Sequence, residues 1–174
     1  MILVINLNKY KLHDLEFIKP ILDLLDDYKI VHYKNLKQED LEKADKVIIA
    51  GTSLKDNDYL EEIEKFYWIK NFKKPILGIC AGMQILALIN GAKLKKAKEI
   101  GQTEIKILKQ DSLIKNINKV YSLHQFSISL PKGFQKIAES KISIQVIKKD
   151  NHYGLLFHPE VLNKNIIISF ANLN

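Results

Sequence analysis

Three short runs in the first half of the chain, "ILVIN" (Ile2 to Asn6), "VIIAG" (Val47 to Gly51) and "PILGI" (Pro75 to Ile79), are apolar at nearly every position. Successive side chains of a strand point to opposite faces, so a strand that is apolar throughout must be covered on both sides. The segments between these runs carry helical periodicity over Leu12 to Asp26 and over about Tyr59 to Lys70, and a helix over Ala81 to about Ile89 follows the third run. "KIVHY" (Lys29 to Tyr33) reads as a further strand. Strands alternating with helices imply a parallel sheet sandwiched between helical layers. Pro20 lies inside the first helical segment, where the missing amide predicts a kink or a late start.

Past Gly91 the pattern changes to "TEIKIL", "KVYSL", "FSISL", "QKIAE", "ISIQVIK" and "YGLLF", followed by a closing helix over about Asn165 to Leu173. These short alternating runs predict mostly antiparallel strands appended to the parallel core. The expected fold class is therefore a three-layer α/β domain with a mixed, mostly parallel central sheet, helices on both faces and an antiparallel extension. At 174 residues, with no linker, repeat or low-complexity segment, it reads as a single domain over 1–174.

Charge narrows the function classes. The formal charge is +7, yet all 27 basic residues are lysine and none is arginine. The commonest base-specific contact is an arginine fork on guanine, so nucleic acid is not an expected partner. The run "KLKKAK" (Lys93 to Lys98) reads as a solvated edge. No apolar run approaches the ~20 residues needed to cross a bilayer. The amino terminus has no small-residue cleavage site, so the expected address is cytoplasmic, away from membranes.

The chain has one cysteine. It cannot close an internal disulfide or assemble a metal cluster by itself, so it is either a small buried hydrophobe or a reactive thiol. Its surroundings, Gly78-Ile79-Cys80-Ala81-Gly82, have the form glycine, any, nucleophile, any, glycine, at the point where a strand runs into a helix. That form describes a sharp turn that holds the nucleophile in a strained conformation, with glycines where side chains would collide as strand and helix pack. Amides at the start of the helix favour a thiolate there. A second element, "YGLLFHPE" (Tyr153 to Glu160), ends an apolar strand in His158-Pro159-Glu160. A histidine at one strand end can take a proton from a thiol at another, and a glutamate two positions on can fix its tautomer.

The elbow "GICAGMQ" followed by a late "FHPE" resembles the triad-type (class I) glutamine amidotransferases, over nearly the whole chain. The resemblance implies that Cys80 attacks the side-chain amide of L-glutamine, that His158 is general base and then acid, and that Glu160 orients it. It also implies oxyanion donors at Ala81 and in the loop "AGTSLKD", where Gly51 matches the first glycine of the family loop. Thr52 stands where a second glycine is usual, and Ser53 where proline is. By the same resemblance Gln84 contacts substrate, and Gln125 and Phe126, in "LHQFSI", hold its α-carboxylate with their backbone. His124 is assigned a structural, hydrogen-bonded role. His13, His32 and His152 carry no motif and are read as structural or surface residues. Leu156 replaces a common glutamine before "FHPE".

No metal or cofactor is expected in this chain. No phosphate loop of the form G-x-x-x-x-G-K-[ST] is present, so ATP and magnesium are expected only on a separate synthetase subunit. The resemblance points first to the ATP-pyrophosphatase subunit of a GMP synthetase as that partner, and next to anthranilate synthase. Retention of Gln84 separates the chain from the pyridoxal-phosphate type, and "SLHQF" lacks the histidine-serine-tyrosine run of the imidazole type. Two other classes stay open from the residues: a non-catalytic regulatory module with a disabled Thr52 loop, and a cysteine hydrolase of a related elbow-bearing family.

Overall fold

The computed structural model describes residues 1–173. An eight-stranded mixed sheet runs through the molecule. Its first strands are β1 (Ile2–Asn6), β2 (Tyr28–His32), β3 (Lys46–Ile49) and β4 (Ile76–Ile79). All pair in parallel, in the spatial order β2-β1-β3-β4. As predicted, β1 is buried on both faces. Ile2 and Val4 join a core with Ile18, Ile21, Phe157, Ile166 and Phe170, whereas Leu3 and Ile5 join another with Tyr33, Phe66, Met83 and Leu86.

The helices are shorter than the periodicity suggested. The segment read as one helix over Leu12 to Asp26 is a 3-10 turn (Lys11–His13), then α1 (Asp14–Phe17) and α2 (Lys19–Leu22). The break falls at Ile18, just before Pro20, which occupies the first turn of α2, where its missing amide costs nothing. A six-residue helix with no reading in the sequence, α3 (Gln38–Lys43), precedes β3. The Tyr59 to Lys70 segment begins as α4 (Asp58–Glu61) and continues as a 3-10 helix over Ile63–Lys70. There the aromatic and β-branched run "IEKFYWIK" disfavours a regular α-helix. The helix after the elbow, α5 (Ala81–Ile89), has the expected bounds.

The second half holds β5 (Leu94–Glu104), β6 (Lys106–Ile107), β7 (Lys119–Ile128), β8 (Gln135–Glu139), β9 (Ile144–Lys149) and β10 (His152–Leu155), then α6 (Pro159–Leu162) and α7 (Asn165–Ala171). Strand β10 is the hinge of the sheet, parallel to β4 on one side and antiparallel to β9 on the other. Strands β9, β8 and β6 continue antiparallel to the edge. The lysine run at 93–98 is not merely an edge: it carries the first half of β5, with Lys95, Lys96 and Lys98 exposed. "KVYSL" and "FSISL" are one strand, β7, which pairs with β5 in a separate two-stranded sheet. Among the described residues no helix is long and apolar enough to cross a membrane.

Candidate active site

The elbow forms where β4 meets α5. Cys80 is the residue before the first turn of α5 and has φ 48° and ψ −102°, a conformation costly for any residue with a side chain. Close packing makes the flanking glycines necessary. A Cβ on Gly78 would lie 2.5 Å from the carbonyl oxygen of Gly82, and one on Gly82 would strike the carbonyl of Ile49. The Cys80 amide is anchored to Leu155 O at 2.7 Å, which ties the elbow to β10. The thiol is buried and donates to Leu123 O on β7 at 3.5 Å.

Beyond β10 the chain delivers His158 and Glu160 to the same place. The His158 amide donates to Tyr121 O at 2.8 Å, and Pro159 opens α6. His158 Nδ1 and Glu160 Oε1 are 2.7 Å apart, both side chains almost wholly buried. The ring of Phe17 packs against His158 with centroids 5.5 Å apart. Burial by itself would lower the His158 pKa, but the charge of Glu160 and then of Cys80, with the hydrogen bond to Glu160, holds it well above the ordinary histidine value. Nδ1 is engaged by Glu160, so Nε2 is the nitrogen left for exchange with the thiol.

Gly51 shows how close the two side chains are. A Cβ built there would be 2.6 Å from His158 Cε1 and 3.4 Å from Cys80 Cβ, so nucleophile, imidazole and loop meet at one point. Neither Gly51 nor Thr52 has a positive φ. Gly51 is there for space, and the backbone at position 52 accepts a threonine without strain.

Thr52, Leu54, Tyr59, Ala81, Gln84 and Phe126 are among the residues that line a cleft beside Cys80. It is a small cleft of about 280 Å³, open to solvent. Gln84 is buried, and both ends of its amide are occupied: Oε1 accepts from Tyr59 OH at 2.6 Å, and Nε2 donates to Phe126 O at 3.1 Å. Gln125 also lines the cleft and joins its two walls through Nε2 to Leu54 O at 2.8 Å. Opposite Gln125 the pairing of β5 with β7 shifts register between Lys96 and Glu99, an irregularity of the kind that re-aims side chains near sites. His124 also borders the cleft, but its ring is held by structural partners, Nδ1 donating to Ala97 O at 3.0 Å and Nε2 lying 3.1 Å from Glu99.

Two residues at the site had no reading in the sequence. In the sequence Tyr59 marks only the start of a helix; in the fold burial, and then the neighbouring Cys80, push its phenol far above the ordinary range. Asp56 closes the loop "AGTSLKD" with no role assigned to it by the sequence, yet its carboxyl accepts from the Thr52 hydroxyl. A wider groove between Leu41, Trp68, Phe72 and Lys74 carries no nucleophile and base pair. Among the described residues, no group of three or more histidine, cysteine, aspartate or glutamate side chains is placed to hold a metal ion.

This arrangement can perform acyl transfer: a strained thiol, an imidazole held by a carboxylate, and a loop and helix start available as amide donors. A model of the family described as "Glutamine amidotransferase class-I" matches residues 18–166. The chain is similar to the glutamine-hydrolysing GMP synthase subunit of Methanosphaera stadtmanae, 41% identical over 102 residues, a stretch that spans 53% of this chain and only 55% of the relative. With the like-named subunit from Saccharolobus solfataricus it shares 32% identity, over 71% of both chains. It is 30% identical to "Imidazole glycerol phosphate synthase subunit HisH 1" of Campylobacter jejuni, over 78% of this chain and 84% of that one. Among solved structures, a candidate GMP synthase subunit from Thermoplasma acidophilum has the same fold, with a TM-score of 0.83, 24% identity and coverage of 98% of this chain and 92% of that one.

Proposed function

Because the chain belongs to the class-I glutamine amidotransferase family, we propose that residues 1–174 act as one glutaminase domain and supply ammonia to a separate synthetase subunit. The observation that carries this reading is the convergence of Cys80 and the buried His158–Glu160 pair on Gly51.

Cys80 Sγ attacks the side-chain carbonyl carbon of glutamine. The oxyanion is held by the amide of Ala81 at the start of α5 and by an amide of the Gly51–Thr52 loop, each such donor contributing ~3 kcal/mol at the barrier. His158 Nε2 takes the thiol proton and passes it to the departing nitrogen, which leaves as ammonia with formation of a γ-glutamyl thioester. Water then attacks the thioester, His158 accepts its proton and returns it to sulfur, and glutamate leaves. Glutamine and water are consumed; glutamate and ammonia are produced. Gln84, Gln125 and Phe126 form the substrate wall.

The partner we favour is the ATP-using subunit of a GMP synthetase, as the names of the Methanosphaera and Saccharolobus relatives suggest. ATP and magnesium belong on that subunit. The longer match to the Campylobacter relative favours a second reading, a glutaminase subunit of an imidazole glycerol phosphate synthase. The test is to incubate the chain with glutamine, alone and with each candidate synthetase subunit, and to measure glutamate together with the synthetase product. Glutamate release that depends on Cys80, with GMP formed only in the presence of the GMP synthetase subunit, is expected. No glutamate with any partner, and no effect of Cys80→Ala, refutes the enzyme reading.

A further inference from the structure

Thr52 occupies the loop position where the family resemblance leads one to expect glycine, and its hydroxyl does not face an empty wall. It donates to Asp56 Oδ2 at 3.1 Å. The same oxygen lies 2.8 Å from His13 Nδ1 and accepts from the Lys9 amide at 3.3 Å. Asp56 is only 4% exposed, and its own amide donates to Ser53 O at 2.9 Å, closing the loop on itself. A carboxyl taken out of water needs replacement donors, and here all of them come from the loop and from the segment after β1.

That segment is itself anchored, because Asn6 and Asn8 both donate to Asp14 Oδ1 at 2.8 Å. It also reaches the base. The His13 ring packs edge-on against Phe17 at 6.4 Å, and Phe17 packs on His158. One short stretch of chain thus touches both the loop beside the nucleophile and the imidazole that serves it.

We propose that Asp56, with His13 behind it, is a positioning residue for the Cys80 site. By gripping the Thr52 hydroxyl it holds the Gly51–Thr52 amides in the direction that an oxyanion requires. Restraint by a side chain here replaces the backbone geometry of a second glycine. The inference rests on the glutaminase reading for its catalytic consequence, but its structural half can be tested without turnover.

In the full chain, Asp56→Asn and Thr52→Val are expected to speed amide hydrogen exchange across residues 51–57 at least ~10-fold while β3 and β4 keep their protection. Thr52→Ser, which retains the hydroxyl, keeps that protection. In glutamine hydrolysis, each of the first two variants lowers kcat ~10- to 100-fold with KM changed less than ~3-fold. Alkylation of Cys80 by iodoacetamide, which needs no oxyanion donor, stays near the wild-type rate. The double variant is no worse than either single one, because both break the same contact. Unchanged loop exchange overturns the proposal, and so does an additive double variant or a parallel fall in kcat and alkylation. A wild-type chain that releases no glutamate with any partner refutes the glutaminase reading instead, and the exchange result still decides the brace.

Discussion

Gly51→Ala adds one methyl group at the point where the candidate site is tightest. The new Cβ would lie 2.6 Å from His158 Cε1 and 3.3 Å from Nδ1. Ordinary carbon contacts are ~3.5 Å or more, so the ring or the loop must give way by roughly 0.9 Å. The ring has little freedom: its Nδ1 is tied to Glu160 at 2.7 Å, its backbone amide to Tyr121 O at 2.8 Å, and the Phe17 ring packs against it at a 55° tilt. Backing the loop away instead moves the amides that would hold the oxyanion. Since φ at Gly51 is not positive, alanine incurs no backbone strain, and the whole effect is steric. A displacement of about 1 Å between reacting groups costs ~100-fold in rate, and overpacking a buried site costs ~1–3 kcal/mol of stability. The expected variant is folded, melts a few degrees lower, and hydrolyses glutamine about 100-fold more slowly. Alkylation of Cys80 by iodoacetamide falls as well, since the imidazole itself is displaced. A folded Gly51→Ala protein with wild-type glutamate release would refute the claim that the His158 ring is held where it stands.

Glu160→Gln removes the larger of the two charges that raise the His158 pKa, so burial then dominates and the ring titrates at lower pH, read from its NMR shifts. In the wild type the raised pKa gives stability that is complete below the unfolded value of 6.5 and is lost as pH rises through the folded value. The stability difference between wild type and Glu160→Gln should therefore narrow toward alkaline pH, and a gap independent of pH contradicts the pairing. Tyr59→Phe leaves the buried Gln84 Oε1 without its donor, for a loss of ~1–3 kcal/mol by urea unfolding and a raised KM for glutamine; an unchanged KM separates Gln84 from the substrate. Gly82→Ala drives a methyl group into the Ile49 backbone and should cost ~3 kcal/mol or more, whereas Gly91→Ala, with nothing within 4 Å of its Cβ but a φ of +85°, should cost only ~1–2 kcal/mol; equal losses in urea unfolding would show that the α5 packing is not as tight as described.

What was legible in the sequence, and what was not, divides along the range of the interactions. The buried strands could be read because period-2 patterning is local, and β1 and β4 are apolar on both faces for reasons contained in a handful of residues each. The elbow could be read for the same reason, since the glycines at 78 and 82 answer collisions within one strand, the helix that follows it and the neighbouring strand. Helix lengths were misjudged where one residue overrides a periodic pattern, as Pro20 does by ending α1 at Phe17. The lysine run hid the start of β5, because exposed lysines look the same on a strand as on a loop.

The residues that finish the site lay out of reach for a different reason. Tyr59 meets Gln84 from 25 residues away, and His13 meets Asp56 from 43. Neither pair leaves a spacing signature, since only the return of the chain across the sheet brings the partners together. Thr52 illustrates the consequence. In the sequence it stands as a departure from a glycine-rich loop and so as a reason to suspect a disabled site. In the fold its φ is ordinary and its hydroxyl has a buried acceptor, so the departure coincides with a second side chain that accommodates it. A substitution in a catalytic loop can therefore be judged only together with the side chain that receives it, and here that side chain is Asp56.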